Sequence, residues 1–197
     1  MQIQVDQLYH IYNQGNNKET IFRERTDYLS FLNCFRDKVA PHCQVVNYSL
    51  MPNHFHFLIN ATQASVIPVM LGSVTSAALA NGFRMLAGAH AHAFNKKYDR
   101  SGSLFRQKTK AKLLETGDAD YPFTCFHYIH QNPVRAGLCK KMEDWEFSSF
   151  QDYCGLRNGT LVNKGLAYSL VGVSIKDFYE ESYQVIDEDK IKKLFAG

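Results

Sequence analysis

Apolar side chains near the start of the chain follow two different periods. Residues 3–13 are apolar and aromatic enough for a β-strand, which ends in the polar, turn-prone stretch 13–17. From Thr20 to Val39 apolar residues recur at roughly helical spacing, and Pro41 stops the pattern. The beginning of the chain therefore predicts a strand followed by a helix.

Two longer segments follow. Residues 43–60 predict a β-hairpin, because two apolar runs flank the turn signal Pro-Asn. Residues 65–86 carry few charges and have apolar side chains on most faces. This predicts a helix packed over a sheet, with Pro68 in its first turn and Gly88 beyond its end.

The remaining pattern completes the predicted core. Residues 104–115 predict a fourth strand, and residues 118–132 predict a helix that Pro133 terminates. The first six elements have the order of the split βαβ, ferredoxin-like pattern, so the expected fold is α+β, with an antiparallel sheet and helices on one face. Residues 156–197 are less patterned and are expected to form a C-terminal extension rather than a second domain.

Composition narrows the class of protein. The chain has 197 residues, of which 45% are hydrophobic and 21% charged, which is typical of a folded domain and argues against disorder. The sequence has neither an apolar run of membrane-spanning length nor a secretory signal, so a cytoplasmic location is expected and no membrane partner. The five cysteines, without a CxxC pair, argue against a disulfide framework or a thiolate zinc site.

Charge is distributed unevenly along the chain. Between Arg84 and Lys112 there are eight Lys and Arg residues and one acid, Asp99, whereas the segment 177–190 has six acids and one base. Aromatic residues, among them Tyr98 and Phe105, interleave with the basic side chains. This combination favours a nucleic-acid partner over a merely solvated basic face.

Two histidines stand two residues apart in the second strand of the predicted hairpin. Side chains at i and i+2 of a strand point the same way, so His54 and His56 leave one face while Phe55 and Phe57 enter the core on the other. Two adjacent imidazoles suit a divalent metal, although a pair of surface histidines is the commoner outcome of this spacing alone.

A second pair lies on the last predicted helix. Tyr128 and Asn132 are one turn apart and therefore share a face. A phenol and an amide oxygen so placed can supply a nucleophile and a hard oxygen ligand to one site. Taken alone, this pair is better explained by a core tyrosine and a helix-end asparagine.

The two pairs together identify a resemblance. The chain is similar to the REP-associated tyrosine transposases, relatives of the single-strand insertion-sequence transposases that use one catalytic tyrosine and a His-hydrophobic-His motif. The similarity extends from about residue 5 to residue 155. The motifs that carry it, in order, are MPNHFHFLI, RSGSLFRQK, YIHQNPVRAGL and DWEFSSFQDY.

The resemblance implies roles for individual residues. His54 and His56 correspond to two ligands of Mg²⁺ or Mn²⁺, and Tyr128 corresponds to the nucleophile. Asn132 stands where the family places a third, amide ligand, and the adjacent Gln131 is an alternative for that position. The implied fold is a ferredoxin-like, RRM-like domain over residues 1–155, in agreement with the pattern analysis.

The same resemblance implies the reaction. Single-stranded DNA, often beside a hairpin, would be cleaved and rejoined through a 5′-phosphotyrosine intermediate with a free 3′-OH. The basic residues expected to contact the DNA backbone are Lys96, Lys97, Arg100, Arg106, Lys108, Lys110 and Arg135.

Two other functions fit the residues less completely. One is a non-catalytic, RRM-like protein that binds hairpin nucleic acid, and the other is a metal-dependent hydrolase with water as the nucleophile. The oligomeric state is open, because the family includes both monomers and homodimers whose tyrosine helix completes the partner's site.

Overall fold

The computed structural model describes residues 2–114 and 120–195. Its strands and longer helices, in chain order, are β1 (Leu8–Gln14), α1 (Arg25–Lys38), β2 (Cys43–Met51), β3 (His54–Ala61), β4 (Pro68–Leu71), β5 (Val74–Ala77), α2 (Ala78–Lys97), β6 (Lys110–Leu114) and α3 (Asp120–Arg135). Short helices follow: α4 (Phe150–Tyr153), α5 (Lys164–Leu166), α6 (Phe178–Ser182) and α7 (Glu188–Phe195). No helix within the described ranges has the length and apolar character needed to cross a bilayer.

Four strands form one antiparallel sheet in the order β2-β3-β1-β6. This confirms the α+β class and the hairpin formed by β2 and β3. In the register of the sheet, Tyr12 on β1 is paired with His56 on β3 on one side and with Lys110 on β6 on the other. Because side chains alternate along each strand, His10, Tyr12, His54 and His56 all leave the same face.

The helices cover both faces of the sheet, so the expectation that they lie on one face is wrong: β1, β2 and β3 carry apolar side chains on both faces. On one face, α1 and α2 enclose an aromatic core in which Phe35 stacks on Phe57 at 4.1 Å between ring centroids and Phe83 packs edge-on. On the opposite face, α3 contributes Phe126 to a second apolar cluster with Leu58. The histidines lie on this second face, beyond the part that the apolar cluster covers.

The prediction of a helix over residues 65–86 is wrong for the first half of that range. The segment instead forms an antiparallel hairpin of β4 and β5 that turns at Gly72, where φ is +63°. Pro68 suits an edge strand, and β-branched residues favour extended backbone. The apolar side chains that suggested a buried helix are in fact exposed, Met70 by 67% and Val74 by 63%.

Three element boundaries also differ from the sequence pattern. Strand β1 begins at Leu8 rather than at residue 3. Helix α1 begins at Arg25, because Glu24 and Asp27 form a reciprocal capping box that fixes its first turn. Helix α2 continues through Gly88, whose cost within a helix is about 1 kcal/mol and is outweighed by packing of the apolar face.

The strand expected over residues 104–115 is shorter than its pattern suggested. β6 pairs with β1, and the residues before it form an irregular segment with single contacts to the end of β1. Phe105 bridges Gly15, and the N–H of Arg106 donates to the carbonyl of Gln14 at 2.9 Å. Glu115 lies outside the described residues. The side chain of Asn13 holds this segment, because its Nδ2 donates to the carbonyl of Arg106 at 3.3 Å and to Oγ1 of Thr109 at 3.1 Å. One bond satisfies a backbone carbonyl and the other a side-chain hydroxyl, and together they tie the irregular segment to β1.

Pro133 does not terminate α3, which continues for two further residues. The start of the helix expected over 118–132 falls partly outside the described residues. A proline in the last turn removes one helical hydrogen bond only. The helix then ends in a Schellman motif: Gly137 has a φ of +69°, and the backbone N–H of Leu138 donates to the carbonyl of Pro133 at 2.9 Å.

The C-terminal extension packs against α3. Phe178 and Leu194 join Phe126 in the second apolar cluster. Gln131, also on α3, donates through Nε2 to the carbonyl of Ser182 at 2.9 Å. The extension thereby brings α7 to the face of the sheet that carries the histidines.

Candidate functional site

A cleft of about 770 Å³ opens on the histidine-bearing face of the sheet. Strands β1, β3 and β6, the irregular segment before β6, and helices α3 and α7 all contribute to it. Its lining residues are Tyr12, Asn13, Gln14, Lys18, Asn53, His54, His56, Arg106, Gln107, Lys108, Lys110, Tyr128 and Phe195. The structure therefore brings the two histidines, the tyrosine and three of the predicted basic residues to one place.

The two histidines are held as neutral rings. Their centroids are 4.9 Å apart, and Nδ1 of His54 donates to Oδ1 of Asn53 at 2.6 Å. Burial lowers the pKa of His54 to about 4 and holds the pKa of His56 well below its usual range, an effect that the neighbouring histidines reinforce. Neutral imidazole is the form that binds metal, and Nε2 of His54 is the nitrogen left for coordination.

A third histidine on the same face of the sheet contacts His56. Nε2 of His10 lies 2.9 Å from Nδ1 of His56, and both side chains are buried. Burial, assisted by the charge of Lys112, lowers the pKa of His10 to about 3. When His56 donates its Nδ1–H to His10, its own Nε2 lone pair is available to a metal.

Tyr128 enters the cleft from α3. Its ring centroid lies 6.0 Å from that of His56, and the two planes are nearly perpendicular. Burial raises the pKa of Tyr128, and the amide of Asn132 opposes this shift. The phenol is therefore protonated at neutral pH.

The two candidate amide ligands are placed differently. Asn132 is buried one turn from Tyr128, and its Nδ2 atom has no hydrogen-bond partner among the described residues. Gln131 is bonded through Nε2 to the carbonyls of Ser182 and Gln184, in the C-terminal extension. Of the two side chains, Asn132 is the one beside the phenol.

The predicted basic residues divide into two groups. Arg106, Lys108 and Lys110 line the cleft, and Lys18, which the sequence analysis did not single out, joins them. The other four lie outside it: Lys97 is paired with Glu24 and Asp27, Arg100 with Glu19, and Arg135 with Glu188, while Lys96 is exposed in the last turn of α2.

Three aromatic or imidazole residues of the site were missed. His10 and Tyr12 are two residues apart on β1, so both side chains lie on the histidine-bearing face. This i, i+2 spacing is the sequence signal for them. Phe195 comes from the last described turn of the chain. Its ring lies edge-on to Tyr128 and to Tyr12, at 5.4 Å between centroids in both cases.

Comparison with known proteins shows a similarity of structure rather than of sequence. No family model and no curated protein matches this sequence. A solved structure described as a REP-associated tyrosine transposase bound to a REP hairpin is similar, with 16% sequence identity and a TM-score of 0.56. The similarity covers 83% of this chain and 92% of that chain. The chain therefore shares its fold with a REP-associated tyrosine transposase.

Proposed function

We propose that the protein is a DNA transposase that cleaves and rejoins single-stranded DNA beside a hairpin, with Tyr128 as the nucleophile and Mg²⁺ or Mn²⁺ as the cofactor. The observation that carries the proposal is the position of Tyr128, whose ring lies 6.0 Å from His56 in a cleft that also contains His54. The shared fold supports it, since the similar structure holds a DNA hairpin.

The donor set fits a divalent metal when an amide completes it. Within residues 2–114 and 120–195, no group of three or more His, Cys, Asp or Glu side chains could hold a metal ion. We therefore assign His54, His56 and Asn132 as ligands. We choose Asn132 over Gln131 because it is buried one turn from Tyr128, whereas Gln131 is bonded to the C-terminal extension. The ligand atom would be Oδ1 of Asn132, since Nδ2 is a hydrogen-bond donor. A bound metal would neutralise phosphate charge and orient the scissile bond.

The phenol performs the covalent step. Oη of Tyr128 attacks phosphorus, the bond from phosphorus to the 3′-oxygen breaks, and that oxygen leaves as a hydroxyl with the proton that the phenol loses. The phosphodiester energy is conserved in the phosphotyrosine, so a 3′-OH can later attack it and regenerate the phenol. No nucleotide cofactor is needed for rejoining.

The basic rim supplies electrostatic attraction. Arg106, Lys108, Lys110 and Lys18 surround the cleft and are suited to backbone phosphates. Contacts of this kind release counterions from DNA, so we expect affinity to fall steeply with salt concentration.

A denaturing gel tests the proposal. End-labelled single-stranded hairpin oligonucleotides are incubated with wild-type protein, Tyr128→Phe and Tyr168→Phe, each with Mg²⁺, Mn²⁺ or EDTA. We expect a denaturation-resistant adduct that requires metal and Tyr128. The control variant removes a phenol of the second apolar cluster that does not line the cleft, and it should form the adduct normally.

Other outcomes point to the two other functions. A retained shift on a native gel without any adduct would indicate a non-catalytic hairpin-binding protein. Cleavage that survives Tyr128→Phe would indicate a hydrolase that uses water.

A further inference from the structure

Tyr12 has no part in the reaction proposed above, yet it lines the cleft. It is the cross-strand partner of both His56 and Lys110, so its ring stands between the metal-ligand pair and the basic rim. The side chain is only half-buried. A partly exposed aromatic ring on a sheet face, next to cationic side chains, is the arrangement by which RRM-like sheets hold unpaired bases.

The contacts of Tyr12 show that this surface accepts an aromatic ring. On its inner side it lies against His10, at 4.8 Å between centroids and 32° between planes. On its outer side Phe195 packs edge-on at 5.4 Å. Phe195 belongs to the terminal helix α7 and not to the sheet, so an aromatic group from elsewhere in the chain already occupies the position above the sheet.

Two other aromatic residues near the basic segment make contacts outside the cleft. Phe105 is buried in the core under α2. The ring of Tyr98 is covered by the guanidinium of Arg23 at 4.5 Å, and its hydroxyl donates to Asp27. Tyr12 is therefore the ring on the sheet face of the cleft that is left for a base beside the proposed nucleophile once Phe195 has moved aside.

We propose that Tyr12 is a stacking platform for an unpaired nucleobase of the strand that is cleaved, next to the scissile phosphate. This inference rests on the proposed function, because it places the DNA strand in the same cleft. Lys110, one strand away, is positioned for the phosphate of the same nucleotide. The site requires single-stranded DNA, since the face of a base within a duplex is covered by its neighbours.

The test measures binding without cleavage. Tyr128→Phe protein is titrated with a hairpin carrying a single-stranded flank, in which 2-aminopurine replaces one flank base at a time. The variants compared are Tyr12→Phe, which keeps the ring, and Tyr12→Leu, which keeps apolar bulk only. A blunt hairpin without a flank reports binding that does not involve the platform.

We expect 2-aminopurine at one flank position to be quenched by Tyr12 and Tyr12→Phe proteins and not by Tyr12→Leu. The flanked hairpin should bind Tyr12→Leu about tenfold more weakly, while the blunt hairpin binds all three proteins equally. An abasic nucleotide at the quenched position should reproduce the tenfold loss with Tyr12 intact, so the result does not depend on the folding of the leucine variant.

Several outcomes would overturn the inference. They are equal quenching by Tyr12→Leu, no effect of an abasic nucleotide at any flank position, or a flank that adds nothing to hairpin affinity. Failure of the proposed function is distinguishable from these. If the wild-type protein forms no adduct on the denaturing gel but the quenching depends on the ring of Tyr12, the catalytic proposal is wrong and the platform stands.

Discussion

Nε2 of His10 lies 2.9 Å from Nδ1 of His56, and the two rings are stacked at 5.0 Å between centroids. The hydrogen bond fixes the orientation of the His56 ring and determines which of its nitrogens faces outward. Metal-binding histidines commonly use a carboxylate or a backbone carbonyl for this purpose. In the proposed metal site a second buried imidazole, that of His10, would take that role.

Replacing His10 should therefore weaken metal binding without removing a ligand. We expect His10→Leu to lower the affinity for Mn²⁺ by about 10–100-fold, as measured by titration monitored by electron paramagnetic resonance. The exposed His92 provides a matched control, and His92→Leu should leave the affinity unchanged. Unaltered Mn²⁺ affinity in a folded His10→Leu protein would contradict the role assigned to this contact.

Buried histidines should make the protein less stable in mild acid. His127 is a clear case, because burial lowers its pKa to about 4 from an ordinary 6.5 and it lies outside the cleft. Between pH 6.5 and pH 4 the imidazole is protonated in the unfolded chain but stays neutral in the folded chain. The stability contributed by the neutral ring is therefore present above pH 6.5 and is lost as the pH falls toward 4.

Urea denaturation at pH 7 and pH 5 measures this effect. For His127 alone we expect a loss of about 2 kcal/mol between the two pH values, and His127→Gln should remove that part of the pH dependence. His92→Gln, at an exposed position, should leave it intact. A His127→Gln protein with the wild-type pH dependence would show that this ring does not resist protonation.

Close packing of α1 against α2 depends on a glycine. A Cβ atom added to Gly82 would lie 2.4 Å from the carbonyl oxygen of Lys38, whereas one added to Gly88 would meet nothing within 4 Å. We expect Gly82→Ala to lower the free energy of unfolding by about 1–3 kcal/mol, because backbone atoms must separate. Gly88→Ala should raise it by up to about 1 kcal/mol through helix propensity. Denaturation curves that showed the same change for both variants would contradict this packing.

The parts of the site that could be predicted are those with local geometry. The His54–His56 spacing on a strand and the Tyr128–Asn132 spacing on a helix each place two side chains on one face, and the sequence contains both intervals directly. His10 lies 46 residues from His56, and Phe195 comes from the end of the chain. Their contacts depend on strand order and on how the extension packs, which no local period encodes.

The hairpin of β4 and β5 shows where local sequence pattern predicts the wrong element. Its apolar residues predicted burial, and a helix was the element that could bury them on most faces. The prediction fails because the apolar side chains of this hairpin are exposed. Hydrophobic periodicity indicates secondary structure only where one side of the element faces a core. Gly72 and Pro68 carried the correct signal, a turn and an edge strand.

Phe195 should compete with DNA for the cleft. Its ring lies against both Tyr128 and Tyr12, and α7 is anchored through buried Leu194 and through the carbonyl of Lys193, which accepts from the hydroxyl of Tyr121 at 3.0 Å. A nucleotide that reaches the proposed nucleophile must displace this ring. Phe195→Ala removes the ring and keeps both anchors, so the extension should remain packed.

We expect Phe195→Ala to bind a flanked hairpin several-fold more tightly than wild type and to form the tyrosine adduct faster. Fluorescence anisotropy and the denaturing gel measure the two effects. Val185→Ala is the matched control, because Val185 is an apolar residue of the same extension that is 96% exposed and lies away from the cleft. Weaker binding by Phe195→Ala would mean that the ring assists DNA, as a second stacking surface, and that α7 stays in place when the substrate enters.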